Sequence, residues 1–235
     1  MLTPEEWQVI LLSLKVAFWS VTLSLPFAIA IAWLLARTNF PGKSLFDAVV
    51  HLPLVLPPVV VGYFLLLSLG RKGPIGELLY TWFGITVVFT WMGAVIACAV
   101  MGFPLMVRAI RLSMEAIDPK LEQAARTLGA GGLARFFVVT LPLALPGVVT
   151  GMLLSFARSL GEFGATITFV SNIPGQTRTL PLAIYTLTQV PGGDEQALRL
   201  CAIAVVLSIA ALLVSETLVR RASRRVLGYD AVGRH

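Results

Sequence analysis

Charged residues are scarce in this chain. Of its 235 residues, 13% are Asp, Glu, Lys or Arg and 57% are hydrophobic, and the mean hydropathy is +0.86. Soluble domains carry about 25% charged residues, because charged side chains cover the surface that faces water. This chain has too little charge to cover a globular surface in water, whereas its composition suits a surface in lipid. We therefore predict an integral membrane protein.

Cysteine and histidine are almost absent, and a nucleotide-binding motif is missing. Cys98 and Cys201 lie in separate apolar runs, which gives neither a disulfide framework nor a metal-ligand spacing. His51 and His235 are isolated, and one histidine does not make a metal site. The pattern G-x-x-x-x-G-K-[ST] does not occur, since the glycine-rich run at 129–132 is not followed by Lys-Ser or Lys-Thr. We expect no catalytic site, metal or cofactor on this chain.

Long apolar runs dominate the sequence instead. A helix needs roughly 20 apolar residues to cross the hydrocarbon core. Five runs meet that length, at 16–36 (extending back to Trp7), 48–69, 86–107, 136–157 and 200–218. A sixth apolar piece, 179–190, is too short and is expected at the surface, although a re-entrant helix within 165–195 stays open. The prediction is an all-α protein with five transmembrane helices in one domain, residues 1–235.

Basic residues divide unevenly between the two ends of these runs. Lys15 and Arg158 lie within or beside spans; of the other 16, twelve fall in loops on one side and four on the other. Cytoplasmic loops are enriched in Lys and Arg, so the richer side is predicted to be cytoplasmic, with the N-terminus outside and the C-terminus inside. Because the charge of +6 is spread over the loops, a nucleic-acid partner is not expected.

The cytoplasmic loop at about 116–135 contains a short amphipathic helix. Asp118 suits the N-cap, Pro119 suits the first helical position, and Gly129 suits the stop. A helix from Pro119 to Leu128 has a narrow apolar stripe with small residues at its centre, and its other face is polar. The stripe consists of Leu121, Ala124, Ala125 and Leu128; the polar face consists of Lys120, Glu122, Gln123 and Arg126. The stripe either packs on the base of the helix bundle or receives another protein.

The pattern Gln123-Ala124-Ala125-x-x-x-Gly129, followed by Val139-x-Leu141-Pro142, resembles a known motif. It is similar to the cytoplasmic "EAA" motif of binding-protein-dependent ABC importer permeases, which forms the coupling helix that docks into the ATPase. One difference is that Gln123 stands where the family usually has Glu, with Glu122 one position earlier. The resemblance implies ATPase-coupling roles for Leu121, Glu122, Gln123, Ala124, Ala125, Leu128 and Gly129.

Two further stretches are similar to molybdate permeases in particular. They are residues 52–63, leading to 71–76, and residues 157–165. Sulfate permeases are similar to them as well, and tungstate is a further candidate substrate. The resemblance implies a bacterial inner-membrane importer in which two permease copies form the pathway. Two ATPase subunits, which carry ATP and Mg, would dock below, and a periplasmic oxyanion-binding protein would dock above.

Polar residues near the outer end of the fourth run are the pathway candidates. Arg158 and Glu162 are four residues apart and share a helix face, so they form either a polar lock at an outer gate or an interfacial pair. A deep unpaired cation would hold an oxyanion too tightly for release, because ion attraction grows at low dielectric. Neutral donors are therefore preferred. The candidates are Ser155, Ser159, Thr166 and Thr168, whose hydroxyls could instead serve packing or bond the backbone.

Other membrane functions are less well matched. An ion-coupled secondary transporter needs a charge relay near the membrane centre and usually inverted repeats, and the sequence has neither. A membrane enzyme needs clustered catalytic polar residues, which are also missing. A passive channel has no use for an ATPase-docking helix.

The predicted orientation has a direct test. A reporter that is active only in the cytoplasm should be active when it is fused to the C-terminus, because the Lys- and Arg-rich loops lie on that side. The same reporter at the N-terminus serves as the control and should be silent. A silent C-terminal reporter in a well-expressed fusion would contradict the orientation.

Overall fold

The computed structural model describes the backbone of residues 3–232 and the side chains of residues 3–214 and 216–219. Among these residues the secondary structure is helical, with no strand, which confirms the predicted all-α class. The helices are α1 Pro4–Arg37, α2 Lys43–Val55, α3 Pro58–Leu69, α4 Pro74–Phe83, α5 Trp91–Glu115, α6 Pro119–Thr127, α7 Gly132–Arg135, a π segment Phe136–Thr140, α8 Leu141–Leu143, α9 Leu145–Leu160, α10 Gly164–Val170, α11 Leu180–Thr188 and α12 Asp194–Val232.

The longest apolar helices begin with strong start signals. At the start of α1, Thr3 and Glu6 form a reciprocal capping box, in which the Thr3 side chain accepts a bond from the Glu6 backbone and the Glu6 carboxylate accepts one from Thr3. Thr90 caps α5, which therefore starts at Trp91 rather than at the predicted position 86 and continues beyond 107 to Glu115. Helices α1, α5 and the first part of α12 are long and apolar enough to cross a membrane.

Two predicted spans are broken rather than continuous, which corrects the runs at 48–69 and 136–157. Helices α2 and α3 meet at 113°, and the segment 132–143 meets α9 at 68°. Pro57 and Pro58 lie at the first break, and prolines flank the second; proline lacks an N–H and disfavours helix in the residue before it. If each bent pair crosses the membrane once, five crossings result.

Helix α5 is the centre of the bundle, because α1 and α9 pack along it. Helix α9 approaches closely through glycine: a Cβ on Gly151 would lie 2.9 Å from the Met106 carbonyl oxygen, and one on Gly147 would clash with Ser113. In lipid, burial of apolar surface does not drive helices together, so small residues that allow close van der Waals contact take over that role.

The region 165–195 holds two short helices that pack inside the bundle. Helix α10 packs on α3 and α5, and α11 packs on α12 and α1. One side of the piece 179–190 packs against the bundle, since Leu180, Leu182 and Ala183 are buried, and its expected position at the surface stays a prediction. The Leu180 backbone N–H donates to Ser13 Oγ at 2.8 Å, so α1 holds the first turn of α11.

Ion pairs join residues that were predicted on the same side of the membrane. Arg199 Nε lies 2.9 Å from Glu6 on the predicted outer side, and Arg111 Nη1 lies 2.9 Å from Asp47 on the predicted inner side. This grouping agrees with the division of the loops, and the orientation itself stays a prediction. Of the predicted cytoplasmic cluster at the C-terminus, Arg234 lies outside the described residues; only the backbone is described for Arg220, Arg221, Arg224 and Arg225.

Packing of α10 on α3 depends on Gly62, and that dependence can be measured. A Cβ at Gly62 would lie 2.6 Å from the Ala165 carbonyl oxygen and 2.9 Å from its Cα, and neither backbone atom can move cheaply. Gly62→Ala should destabilise the purified protein by about 1–3 kcal/mol, which lowers the midpoint of thermal unfolding by about 2–12 °C.

The matched control is Gly161→Ala, because a Cβ there meets open space among the described atoms. Equal unfolding midpoints for the two variants would contradict the assigned packing.

Candidate functional site

Helix α6 is an independent element on the predicted cytoplasmic side, with a defined start and end. Asp118 is the N-cap, and its carboxylate accepts a bond from the Lys120 backbone N–H at 2.9 Å. At the other end Ala130 N–H donates to Ala125 C=O and Gly129 N–H donates to Arg126 C=O, both at 3.0 Å, which is the Schellman arrangement. Gly129 has φ +86°, as that arrangement requires. The predicted helix is confirmed.

The apolar stripe of α6 faces away from the rest of the chain. Leu121 is 49% exposed and Leu128 is 88% exposed, while Ala124 is exposed and Ala125 is half-buried. Of the two interpretations left open by the sequence, packing of the stripe on the base of the bundle is therefore wrong for this chain. An apolar surface this open on a loop between membrane helices is typical of a protein-binding site.

Glu122, which was predicted on the polar face of α6, points towards the bundle. Its Oε1 accepts bonds from Arg37 Nε and Thr140 Oγ1, both at 2.9 Å, and Arg37 Nη2 lies at the same distance without hydrogen-bond alignment. The side chains of Arg37 and Glu122 are 18% and 19% exposed. Glu122 thus attaches α6 to the bundle, whereas the other residues of its polar face and the two leucines of its stripe are exposed.

Sequence reasoning missed Arg37 and Thr140 as members of this site. Arg37 is the last residue of α1, and Thr140 is the last residue of the π segment and is 1% exposed. Thr140 directly precedes the Leu141-Pro142 part of the motif, and this position was a usable signal. Arg37 is 85 residues from Glu122, so only the fold brings the two together.

Arg158 and Glu162 form the predicted ion pair, and its contacts connect two helices of the bundle. Arg158 Nη1 lies 2.6 Å from Glu162 Oε2, and Glu162 is 1% exposed. The other oxygen, Oε1, accepts a bond at 2.7 Å from the Ala165 N–H, in the first turn of α10. Glu162 therefore joins the end of α9 to the start of α10, and a role at an outer gate stays a prediction.

The four candidate hydroxyls lie inside the protomer. Ser155, Ser159 and Thr166 are buried and Thr168 is half-buried. Ser159 Oγ donates to the Ser155 carbonyl, Thr166 Oγ1 to the Phe163 carbonyl, and Thr168 Oγ1 to the Gly164 carbonyl, at 2.8–2.9 Å. Ser155 Oγ is buried with no hydrogen-bond partner among the described residues. Their contribution to an anion pathway stays a prediction.

A comparison with known families decides the class of the protein. Residues 24–228 match the family described as binding-protein-dependent transport system inner membrane component. The chain belongs to this family. The match includes the exposed helix α6 and both broken spans, so the features found in the structure lie within the region that defines this permease family.

Curated relatives extend the match over nearly the whole permease. The molybdenum transport system permease protein ModB of Escherichia coli is 66% identical over 224 residues, which covers 95% of this chain and 98% of that protein. The protein of the same name from Haemophilus influenzae is 61% identical, over 94% and 96% of the two chains. The sulfate transport system permease protein CysT of Salmonella typhimurium is 36% identical, over 96% and 84%.

Solved structures of more distant sequence share the fold. A bacterial alginate ABC transporter, crystallised with its periplasmic protein, matches with a TM-score of 0.73 at 17% identity, over 93% of this permease and 80% of that chain. A methionine ABC transporter matches with a TM-score of 0.70 at 18% identity, over 94% and 99%. The architecture of this chain is therefore that of ABC importer permeases.

The Arg158–Glu162 pair predicts that the single variant Arg158→Met is less stable than the double variant in which both partners are replaced. Arg158→Met leaves the buried carboxylate of Glu162 without its counter-charge and should destabilise the permease by ~3 kcal/mol. Arg158→Met/Glu162→Gln should recover most of that loss, because a neutral amide oxygen can still accept the Ala165 N–H bond. Thermal unfolding of the purified variants measures the order, with Lys72→Met as a control for loss of an exposed positive charge. A double variant less stable than Arg158→Met would refute the assigned pairing.

Proposed function

We propose that this chain is the membrane-spanning subunit of a bacterial ATP-driven importer for molybdate. Two copies of the chain form the translocation pathway in the inner membrane, and ATP hydrolysis takes place on a separate ATPase. The observation that carries this proposal is the outward-facing stripe of α6, an apolar surface whose leucines are left exposed by the described part of the chain. Family membership supports the same conclusion independently.

The shape of the stripe explains how it would dock. Leu121 and Leu128 are two large side chains, and Ala124 and Ala125 leave a shallow centre between them. The leucines fill pockets in the ATPase, and the alanines allow its surface to approach the α6 backbone. Glu122 does not point to that surface, so the polar contact to the ATPase falls to Gln123, which is exposed.

Molybdate is favoured as the substrate by the ranking of relatives. Identity to the molybdenum transport permease of Escherichia coli is 66%, whereas identity to the sulfate permease of Salmonella typhimurium is 36% over a similar share of this chain. Sulfate and tungstate are tetrahedral dianions like molybdate, and they are the alternative substrates. A periplasmic oxyanion-binding protein delivers the anion to the outer face of the permease.

Substrate and energy source are tested together in membrane vesicles that contain the assembled importer. ATP-dependent uptake of molybdate should exceed that of sulfate, and the isolated chain should hydrolyse no ATP, since it lacks a phosphate-binding loop. Co-purification from native membranes should recover an ATPase and an oxyanion-binding protein. Uptake driven by a proton gradient without ATP would contradict the proposal and would indicate a secondary transporter.

Docking is tested by enlarging the centre of the stripe. Ala125→Trp should abolish uptake and ATPase co-purification while membrane levels stay normal, because overpacking an interface opposes binding by about 1–3 kcal/mol for a small insertion and by more for an indole. Gly129→Asp should act in the same direction, since its φ of +86° disfavours a side chain.

The matched control for Gly129→Asp is Gly131→Asp, in the same loop. Gly131 has φ −64°, and a Cβ there meets open space among the described atoms. This variant should keep uptake near the wild-type level. If Ala125→Trp keeps wild-type uptake and ATPase co-purification, α6 is not the docking element.

A further inference from the structure

Glu122 is the point where α6 meets the membrane helices. Within the described chain, α6 packs on the π segment and α7, and its apolar stripe is free. At Glu122 a single oxygen, Oε1, accepts one bond from Arg37 and one from Thr140, both at 2.9 Å. Hydrogen bonds to a charged group are stronger than neutral ones, so this junction contributes much of the attachment of α6.

The two donors belong to different parts of the bundle. Arg37 ends α1, a helix of 34 residues that packs along α5 and α9. Thr140 ends the π segment, which continues through α8 into the 68° bend before α9. A displacement of Glu122 therefore acts on a long helix and on a broken span at the same time.

We propose that Glu122 is a positioning residue that transmits movement of α6 to α1 and to the broken span, by holding Arg37 and Thr140 on one carboxylate oxygen. The inference rests on the proposed function, since α6 moves only if an ATPase grips its outer stripe. It differs from docking, because Glu122 lies on the side of α6 that faces the bundle. Docking uses Leu121, Ala124, Ala125 and Leu128, and transmission uses Glu122, Arg37 and Thr140.

Because Thr140 lies in the π segment, a movement of α6 that reaches Thr140 acts on a turn that deforms easily. Short π turns inside helices are rare and are frequent at functional sites, because the wider turn is less stable than the α-helix around it. The Leu141 N–H bonds the Phe136 carbonyl, five residues earlier, within this segment. A pull on the Thr140 side chain acts on this weak turn directly, next to the break at Ala144. The broken span can then change its bend while α1 is displaced through Arg37.

The test separates association with the ATPase from use of its ATP. Glu122→Gln keeps an oxygen that can accept the Thr140 bond and removes the charge that pairs with Arg37. In the assembled importer, ATPase co-purification and basal ATP hydrolysis should stay at wild-type levels. Molybdate uptake per ATP hydrolysed should fall about tenfold, since losing a charge-assisted bond changes an equilibrium by about that factor.

The decisive variant exchanges the two charged residues, so that the ion pair is restored with its charges reversed. Arg37→Glu alone places two carboxylates together and should lower uptake per ATP at least as far as Glu122→Gln. The exchange Arg37→Glu/Glu122→Arg should raise the ratio above that of Arg37→Glu, because it restores the ion pair, but it should stay below the wild-type ratio, because arginine has no acceptor for the Thr140 hydroxyl. A smaller probe guards against misfolding of these variants: Thr140→Val should lower the ratio about fivefold by removing one donor at nearly constant volume, while Thr140→Ser should not.

The control for loss of a carboxylate is Glu115→Gln. Glu115 lies 2.7 Å from Arg111 within the same helix, α5, so its ion pair joins no separate elements. This variant should leave uptake per ATP unchanged. Ala125→Trp, measured in parallel, tests the proposed function separately, because it should remove ATPase association itself.

Three results would overturn the role of Glu122. Loss of ATPase association in Glu122→Gln would make the residue a docking contact. A wild-type ratio of uptake to ATP in both Glu122→Gln and Thr140→Val would make the junction passive. Failure of the exchange variant to raise the ratio above that of Arg37→Glu would show that the pair itself is not required. If the Ala125→Trp variant still co-purified with the ATPase, the proposed docking through α6 would be contradicted, independently of the role of Glu122.

Discussion

The fold depends on close contact between helices around α5. Lipid tails are as apolar as the side chains they surround, so burial gives these helices little reason to associate, and van der Waals contact must supply it. Gly147 and Gly151 bring α9 against α5, and Gly62 brings α10 against α3. The break around Ala144 is compatible with this constraint, because Ala144 is fully buried among neighbouring helices.

Polar side chains then set how the elements are connected. Glu162 links α9 to α10, Glu6 links α1 to α12, and Glu122 links α6 to α1 and the π segment. Each of these carboxylates is shielded from water and is matched by an arginine, because an unpaired charge in such a place is strongly destabilising. Three of the chain's few carboxylates therefore lie at joints between helices.

Local features were predictable from the sequence, and angles and distant partners were not. The start of α6 at Asp118, its stop at Gly129 and the apolar runs follow from patterns within a few residues. The 113° bend was missed because a run of apolar residues gives the same hydropathy whether straight or broken. The inward turn of Glu122 was missed because it depends on Arg37, 85 residues away. The residues that line the pathway could not be predicted from the sequence, because the proposed pathway lies between two copies of the chain.

The open stripe of α6 also has a consequence for the life of the protein in the cell. A newly inserted copy carries Leu128 almost fully in water until something covers it. Exposed apolar surface of this kind is what chaperones and quality-control proteases bind. An orphan subunit would thus mark itself for removal, and only copies that find their partner would persist. The same two leucines that fit the permease for docking would keep the numbers of its subunits in balance.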